Sequence, residues 1–359
     1  MIEKRFIHAF GQEWPRAIGP ALTIAPNGDW LCHWVAGPSG DLGDGQAGLS
    51  AVYKRSTDAG HTWGDLQVWI SPDGPDRCGH GHPNYIHEGG IVAFGLCFDA
   101  GRGGMTRRRP FITHSHDSGH TWSPHQPLHD RAGIVTRRGR VVLRDGTWLF
   151  PQHYIRPPDL PWDILHFPPD LREQRDYSAW IRGVNVLASR DRGRTFEPWG
   201  AIEPPGPVRM NEPHVLELRD GTVAMLIRAD KDGWLWRSDS HDGGRTWTPP
   251  GRTEIPNPAS KVSLFRLEDG RIALVHNPNS AARDPLSVWI SEDEMATWPI
   301  RVELDSWSER AGWFSAREGA GTSTALAYPH AIQVGRALHV VYDLGRRDIV
   351  HIIVDLDAL

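Results

Sequence analysis

A chain of 359 residues, 39% apolar and 23% charged with a net charge of −5, has the makeup of a folded globular protein. That charge balance leaves no basic groove for nucleic acid, and three cysteines (Cys32, Cys78, Cys97) are too few for a disulfide framework. No stretch of about 18 apolar residues marks a membrane span, and charges in the opening MIEKRFIHAF break up any signal-peptide core, so a cytoplasmic setting is expected.

Proline (29) and glycine (38) are spread through the chain, and the apolar runs between them are short and alternating, which predicts strands almost throughout. The first is KRFIHAF. A tight-turn glycine, Gly28 in APNGDWL, then joins two strands and is followed by STDAGHTW at Ser56–Trp63. The same pair of marks returns along the chain. Gly90 in IHEGGIVAF precedes SHDSGHTW (Ser115–Trp122), and Gly146 in LRDGTWLF precedes SRDRGRTF (Ser189–Phe196). Gly221 in LRDGTVAML precedes SHDGGRTW (Ser240–Trp247), and Gly270 in LEDGRIALV precedes SEDEMATW (Ser291–Trp298). A sixth turn, Gly335 in IQVGRALHVV, has no such phrase after it.

The phrase S-x-D-x-G-x-T-W reads as a self-satisfied hairpin tip. Its Asp can accept from backbone N–H groups of its own turn, its Gly supplies a left-handed conformation, and its closing aromatic packs back between strands. Met295 replaces that glycine in the fifth copy, so a looser turn is expected there. On this reading Asp58, Asp117, Asp191, Asp242 and Asp293 are structural.

Two hairpins per unit make a four-stranded blade, and six such units fill the chain as a single domain over residues 1–359. The expected fold is an all-β, six-bladed propeller with five Asp boxes, its ring closed by the N-terminal strand joining the last blade. Blade three departs from the spacing: Gly146 to Ser189 is 43 residues, against 19 to 28 elsewhere. The excess is a Pro-rich, aromatic insertion at about 153–180, a candidate substrate wall or an ornament covering an edge.

In a propeller the inner strand of each blade lines the channel, and its start faces one mouth, about nine residues before each turn glycine. Read at that register, blade one offers Gly19 and Pro20 with Arg16 upstream, and blade two offers His80, His82 and Asn84. Blade three offers Arg137 and Arg138, blade four Asn211 and Glu212, blade five Ser260 and Lys261, and blade six Tyr328 and His330. Arg, Glu, His and Tyr collected at one mouth suit a small polar, anionic ligand. His80 and His82 form only an H-x-H pair with no third ligand at a useful spacing, so no metal is expected.

These boxes and their spacing resemble the Asp-box propellers of the sialidase (neuraminidase) superfamily, in its broad BNR-repeat branch, over essentially the whole chain. The resemblance implies a glycoside hydrolase acting on a glycan or small sugar acid, with no cofactor. NEPHVLELRDGTVAMLIRAD is similar to the segment carrying a catalytic Glu and a carboxylate-binding Arg, here Glu212 and Arg228. HNPNSAARDPLSVWISEDEMATW is similar to the segment bearing a further carboxylate-binding Arg, here Arg283. ALAYPHAIQVGRALHVVYDL resembles the last-blade segment with the Tyr nucleophile, here Tyr328. The family's acid Asp falls in GPSGDLGDGQAG, as Asp44 or Asp41, with Asp44 at the better distance from Ser56.

The chain departs from the pattern in three ways. The first-blade RIP phrase is replaced by WPRAIGPALTIAPNG, so Arg16 reaches the third arginine position only with a two-residue shift. The acid loop is glycine-rich. His80, His82 and His153 are additional histidines at or near the mouth, where they and Arg137 could touch substrate. The expectation is an exo-acting hydrolase of a carboxylate-bearing sugar, with sialic acid as a candidate, by a retaining Tyr/Glu mechanism. The alternatives are a lyase on uronate glycans or a rhamnosidase-like enzyme using His and Tyr, and a non-catalytic glycan-binding propeller.

Overall fold

The computed structural model describes residues 2–9, 11, 14–37, 48–70, 77–87, 89–99, 106–128, 135–136, 141–162, 179–307 and 326–359, with the backbone course alone at 77–87, 98–99, 106–109 and 135–136. These residues form 25 strands in six antiparallel sheets, and a single 3-10 turn at Leu356–Ala358 closes the chain.

Blade one is β2 (Arg16–Ile24), β3 (Trp30–Gly37), β4 (Ser50–Ser56) and β5 (Gln67–Ile70). Blade two is β6 (Arg77–His87), β7 (Gly90–Asp99), β8 (Thr106–Ser115) and β9 (Gln126–Pro127). In blade three two short pieces, β10 (Val135–Thr136) and β11 (Val141–Val142), both pair with β12 (Trp148–Arg156), followed by β13 (Ile181–Ser189) and β14 (Glu197–Ile202). Blade four is β15 (Arg209–Glu217), β16 (Val223–Asp230), β17 (Trp234–Ser240) and β18 (Gly251–Pro256). Blade five is β19 (Ser263–Arg266), β20 (Ile272–His276), β21 (Leu286–Ser291) and β22 (Ile300–Asp305). Blade six is β23 (Leu326–Val334), β24 (Ala337–Leu344) and β25 (Asp348–Asp355), completed by β1 (Ile2–His8) at the outer edge.

Closure by β1 is as expected. Its pairing with β25 runs from Ile2 opposite Val354 to His8 opposite Ile349, so the last blade takes its outer strand from the start of the chain. The edge of β25 is thereby paired rather than left open.

The core is a ring of layers between neighbouring blades. Leu286, Val288 and Ile290 of blade five pack against Leu338, Val340 and Tyr342 of blade six, and Leu149, Val184 and Val186 of blade three against Val215, Val223 and Met225 of blade four. Trp30, Cys32 and Trp34 of blade one meet Val341 and Ile349 of blade six across the seam. Middle strands are covered on both faces, which is why β3 (WLCHWVAG) and β24 (ALHVVYDL) read as near-continuous apolar runs. Each fully buried aliphatic side chain in these layers contributes about 1.5–3 kcal/mol.

The boxes repeat one hydrogen-bond pattern. In the first, the Gly60 N–H donates to Ser56 Oγ (2.8 Å), Ser56 Oγ donates to Asp58 Oδ1 (2.7 Å), and the Thr62 N–H and Oγ1 donate to the two Asp58 oxygens (2.8 and 2.5 Å). The expected loosening of the fifth box does not occur. Met295 keeps a left-handed φ of +72°, its N–H donates to Ser291 Oγ at 2.9 Å, and Thr297 holds Asp293 as in the other copies. Tertiary contacts override the missing glycine: the Met295 side chain is buried against Trp289 and Trp298, and Glu294 binds Arg266 through both carboxylate oxygens at 2.7 and 2.8 Å.

Two further expectations shift by small amounts. In blade two the left-handed turn residue is Gly89 (φ +86°), while Gly90 already begins β7. In blade three the strand continues through His153 to Arg156, so the insertion starts at 157 rather than 153. Arg156 anchors its root, donating to the carbonyls of Pro157, Pro158 and Leu160 and to Glu203.

Candidate active site

In every blade the first strand is innermost, so the starts of the inner strands gather at one end of the ring and the box turns lie at the other. Three inner strands share a feature at the mouth end. In blade one, Gly19–Pro20 stand opposite the single residue Trp34, and in blade four Glu212–Pro213 stand opposite Ile227. In blade six, Tyr328–Pro329 stand opposite Tyr342. Each is a bulge of two residues against one, and proline fits because the bulge frees its missing N–H from the ladder.

The first residue of each bulge is left-handed: φ is +62° at Gly19, +39° at Glu212 and +54° at Tyr328. Glycine adopts that conformation without cost, but for glutamate and tyrosine it stores about 1–3 kcal/mol. The bulge turns both side chains out of the alternation of their strands. The Glu212 N–H is held by Asn211 Oδ1 at 2.9 Å.

Around these two residues the structure assembles a charged cluster. Arg228, the cross-strand partner of Asn211, donates through Nη1 to Glu212 Oε2, and its Nη2 lies 3.1 Å from Asp230 Oδ1. Burial alone would favour the neutral guanidine, but the negative charge of Glu212, with Tyr328 and Asp230 also acting on it, holds Arg228 firmly protonated. Arg283 reaches in from blade five. Its Nη2 donates to the Ala259 carbonyl at 2.9 Å, and its guanidinium carbon lies 5.1 Å from the Tyr328 ring centroid, within cation–π reach. Arg283 is 6% exposed, and its Nε and Nη1, like Arg228 Nε, are buried donors with no hydrogen-bond partner among the described residues. Such donors suit a carboxylate, which accepts two hydrogen bonds from one guanidinium.

The other anticipated residues are distributed unevenly. Arg16 opens β2 at the mouth end and is buried at 1% exposure, beside the seam where the Ala17 N–H donates to the Arg346 carbonyl at 3.0 Å. His80 and His82 lie on β6, the inner strand of blade two, opposite Leu96 and Phe94. His153 is a buried residue of β12, the second strand of blade three, paired with Val135 and Val184. Asp44 (with Asp41), Arg137 and Arg138 lie outside the described residues.

Asp343 was not anticipated. It pairs with Ala327 on β23, the register that Arg228 occupies opposite Asn211 in blade four. Its Oδ2 accepts from the Gly19 N–H at 2.9 Å, tying blade six to the blade-one bulge. Burial pushes its carboxyl up to about 7, against the opposing pull of the Gly19 N–H and of Arg346 and Arg283. No motif announces it. Counting from the bulge onto the second strand, as for Arg228, would have found it.

A model of the BNR repeat-like domain matches residues 28–340. The chain belongs to this BNR repeat family. A sialidase from Micromonospora viridifaciens is 27% identical over 312 residues, a match taking in 78% of this chain and 45% of that relative, so the chain spans less than half of the longer protein. Among solved structures, the Hadza microbial sialidase Hz136 superposes with a TM-score of 0.77 at 17% identity, covering 99% of this chain and 69% of that one. The NanB sialidase of Streptococcus pneumoniae gives 0.72 at 12% identity, covering 99% and 71%. At these identities the structural matches establish the BNR repeat chain as a sialidase-like six-bladed propeller.

Proposed function

We propose that this chain is an exo-acting, retaining glycoside hydrolase that removes a terminal carboxylate-bearing sugar from a glycan. The observation that carries the reading is the convergence of Glu212, Arg228, Tyr328 and Arg283 at one mouth, with Glu212 and Tyr328 both displayed on strained left-handed bulges. Backbone outliers of this kind cluster at functional sites, where the surrounding fold over-determines them. Kinship to a protein named a sialidase adds to it.

The chemistry follows from the residue types. Arg228 and Arg283 grip the sugar carboxylate, a task for planar guanidinium groups rather than ammonium groups. A carboxylate at the anomeric carbon repels an anionic nucleophile, so a neutral phenol is the better attacker. Glu212 takes the Tyr328 Oη proton as Oη bonds to the anomeric carbon and the glycosidic oxygen leaves with a proton from a general acid, the role assigned to Asp44. Water then cleaves the tyrosyl–sugar bond, with the same groups acting in reverse. Arg228, fixed between Glu212 and Asp230, aligns the base with the bound carboxylate.

A panel of fluorogenic glycosides of sialic acid, uronic acids and rhamnose tests the proposal. Hydrolysis of a sugar acid, absent in both Tyr328→Phe and Glu212→Ala, is the expected result. Hydrolysis surviving in both variants would overturn the mechanism.

A further inference from the structure

At the outer wall, the interface between blades three and four is filled by one ring and one guanidinium, and that between blades four and five is not. In blade three, Val186, three residues before the box serine Ser189, stands opposite Trp199 on the outer strand. Trp199 is buried, and the Arg245 guanidinium from the blade-four box lies 4.3 Å from its ring centroid. A Cβ on the neighbouring Gly200 would collide with Trp247. One blade on, all three positions differ. Arg237, three residues before Ser240, stands opposite Gly251, and the box residue matching Arg245 is Ala296. A Cβ on Gly251 would meet no atom within 4 Å.

With neither tryptophan nor arginine there, a cleft of about 430 Å³ opens between β18 and the box of blade five. Leu226, Ile255, Trp289 and Trp298 give it an apolar side, and Arg237, Glu254 and Arg301 line it as well. Leu226 pairs with Arg237 in blade four and Trp289 with Arg301 in blade five. Leu226 and Trp289 belong to one packed cluster, so their partners come to facing walls of the cleft.

Both guanidinium groups are fixed at one edge. Arg237 Nε donates to Asp239 Oδ1 at 2.9 Å. Arg301 Nε donates to the Trp298 carbonyl at 3.0 Å, and its guanidinium carbon lies 4.0 Å from the Trp289 ring centroid. Among the described residues, which include all of 179–307, their Nη atoms and the Glu254 carboxylate form no hydrogen bond. Two anchored forks with unused donors suit a carboxylate. Glu254 suits hydroxyl donors, and the apolar side suits the C–H face of a sugar ring. The volume is that of an ordinary small-ligand site, roughly 300–1,000 Å³.

We propose that the cleft between blades four and five is a second glycan site that holds a sugar acid by its carboxylate, between Arg237 and Arg301. Lined by the blade-five box, it lies away from the mouth and takes a unit other than the one being cleaved. The choice of a sugar acid rests on the reading of the mouth as a sugar-acid site.

The test is an NMR titration of the chain labelled at its tryptophan indoles, with equilibrium dialysis counting the molecules held per chain. The probes are N-acetylneuraminic acid and galacturonic acid, each against its uncharged methyl ester. At least one acid should shift the Trp289 and Trp298 signals and bind there about tenfold tighter than its ester, equivalent to about 1.4 kcal/mol. Arg301→Gln and Gly251→Trp, both at exposed positions, should each weaken that binding about tenfold and leave hydrolysis of small glycosides unchanged. Arg283→Gln, at the mouth, should remove one of two bound molecules and leave the tryptophan shifts in place. Acid binding that Arg283→Gln abolishes, with the two signals unmoved, overturns the cleft site and leaves the mouth reading intact. Shifts that the ester reproduces equally, or that survive both cleft variants, also overturn the cleft site. Tryptophan shifts with no site sensitive to Arg283→Gln support the cleft and overturn the mouth reading. No binding of either acid overturns both.

Discussion

The two ends of the propeller are built on opposite plans. At the box end, five turns repeat one set of Ser, Asp and Thr hydrogen bonds, and even Met295 conforms to it. At the mouth end, the same bulge recurs in blades one, four and six but displays a different residue each time: Gly19, Glu212 and Tyr328. Repetition at one end makes the ring rigid and its register predictable, and variation at the other end lets each blade contribute a different group to one site.

If that division of labour holds, damage at the mouth should abolish turnover and spare stability. The largest expected effect is from Glu212→Gln: kcat should fall by about 10²–10⁴-fold, the usual contribution of a general base, with only a modest fall in Tm, because Asp230 still faces the Arg228 guanidinium. Steady-state kinetics and calorimetry on the same preparation check both halves. Arg283→Lys comes next. It should raise KM for a sugar-acid substrate by about tenfold or more and leave neutral glycosides unaffected, as a substrate comparison would reveal.

Damage at the box end should do the reverse. Asp242→Ala removes the acceptor for the Thr246 N–H and Oγ1 and should lower stability by about 1–3 kcal/mol, measured by denaturant unfolding, with kcat/KM unchanged. A drop in kcat/KM without loss of stability would break the contrast.

The smallest effects concern pH, and they run in opposite directions at the two ends. Near the first box, His339 and His351 share a hydrogen bond of 3.0 Å beside Trp30 and Trp63, facing Arg5 and His61. Burial, with those neighbouring charges, lowers the two imidazoles to about 4 and about 3, so both are neutral in the fold. The unfolded chain protonates them near 6.5, so their contribution to stability declines as pH falls from about 6.5 towards 4. Asp343 behaves oppositely. Its raised folded value means that its contribution is full below about 4 and is lost as pH rises through about 7. Melting curves against pH should show His339→Gln flattening the acid side and Asp343→Asn the neutral side.

Much of the box end was legible in the sequence because its hydrogen bonds are local: Ser56, Asp58, Gly60 and Thr62 satisfy one another within seven residues. The blade count and closure by β1 followed from the spacing of such phrases. The mouth was legible only through that register, which led to Glu212 and Tyr328. The bulges were foreshadowed by Pro20, Pro213 and Pro329, since proline inside an inner strand signals broken pairing, but the left-handed display of the preceding residue depends on the cross-strand partner. Asp343 was missed because its place is set by residues on another strand and blade, Ala327 and Gly19, a relation that no short motif records.

The central claim, that the mouth acts and the boxes only hold it, is tested most directly by one comparison. Let kcat/KM on a fluorogenic sugar-acid glycoside and Tm be measured together for Tyr328→Phe and Asp242→Ala. The expected result is a double dissociation: Tyr328→Phe loses activity at wild-type Tm, and Asp242→Ala loses Tm at wild-type activity. Wild-type activity in Tyr328→Phe, or an inactive Asp242→Ala that melts normally, would contradict it.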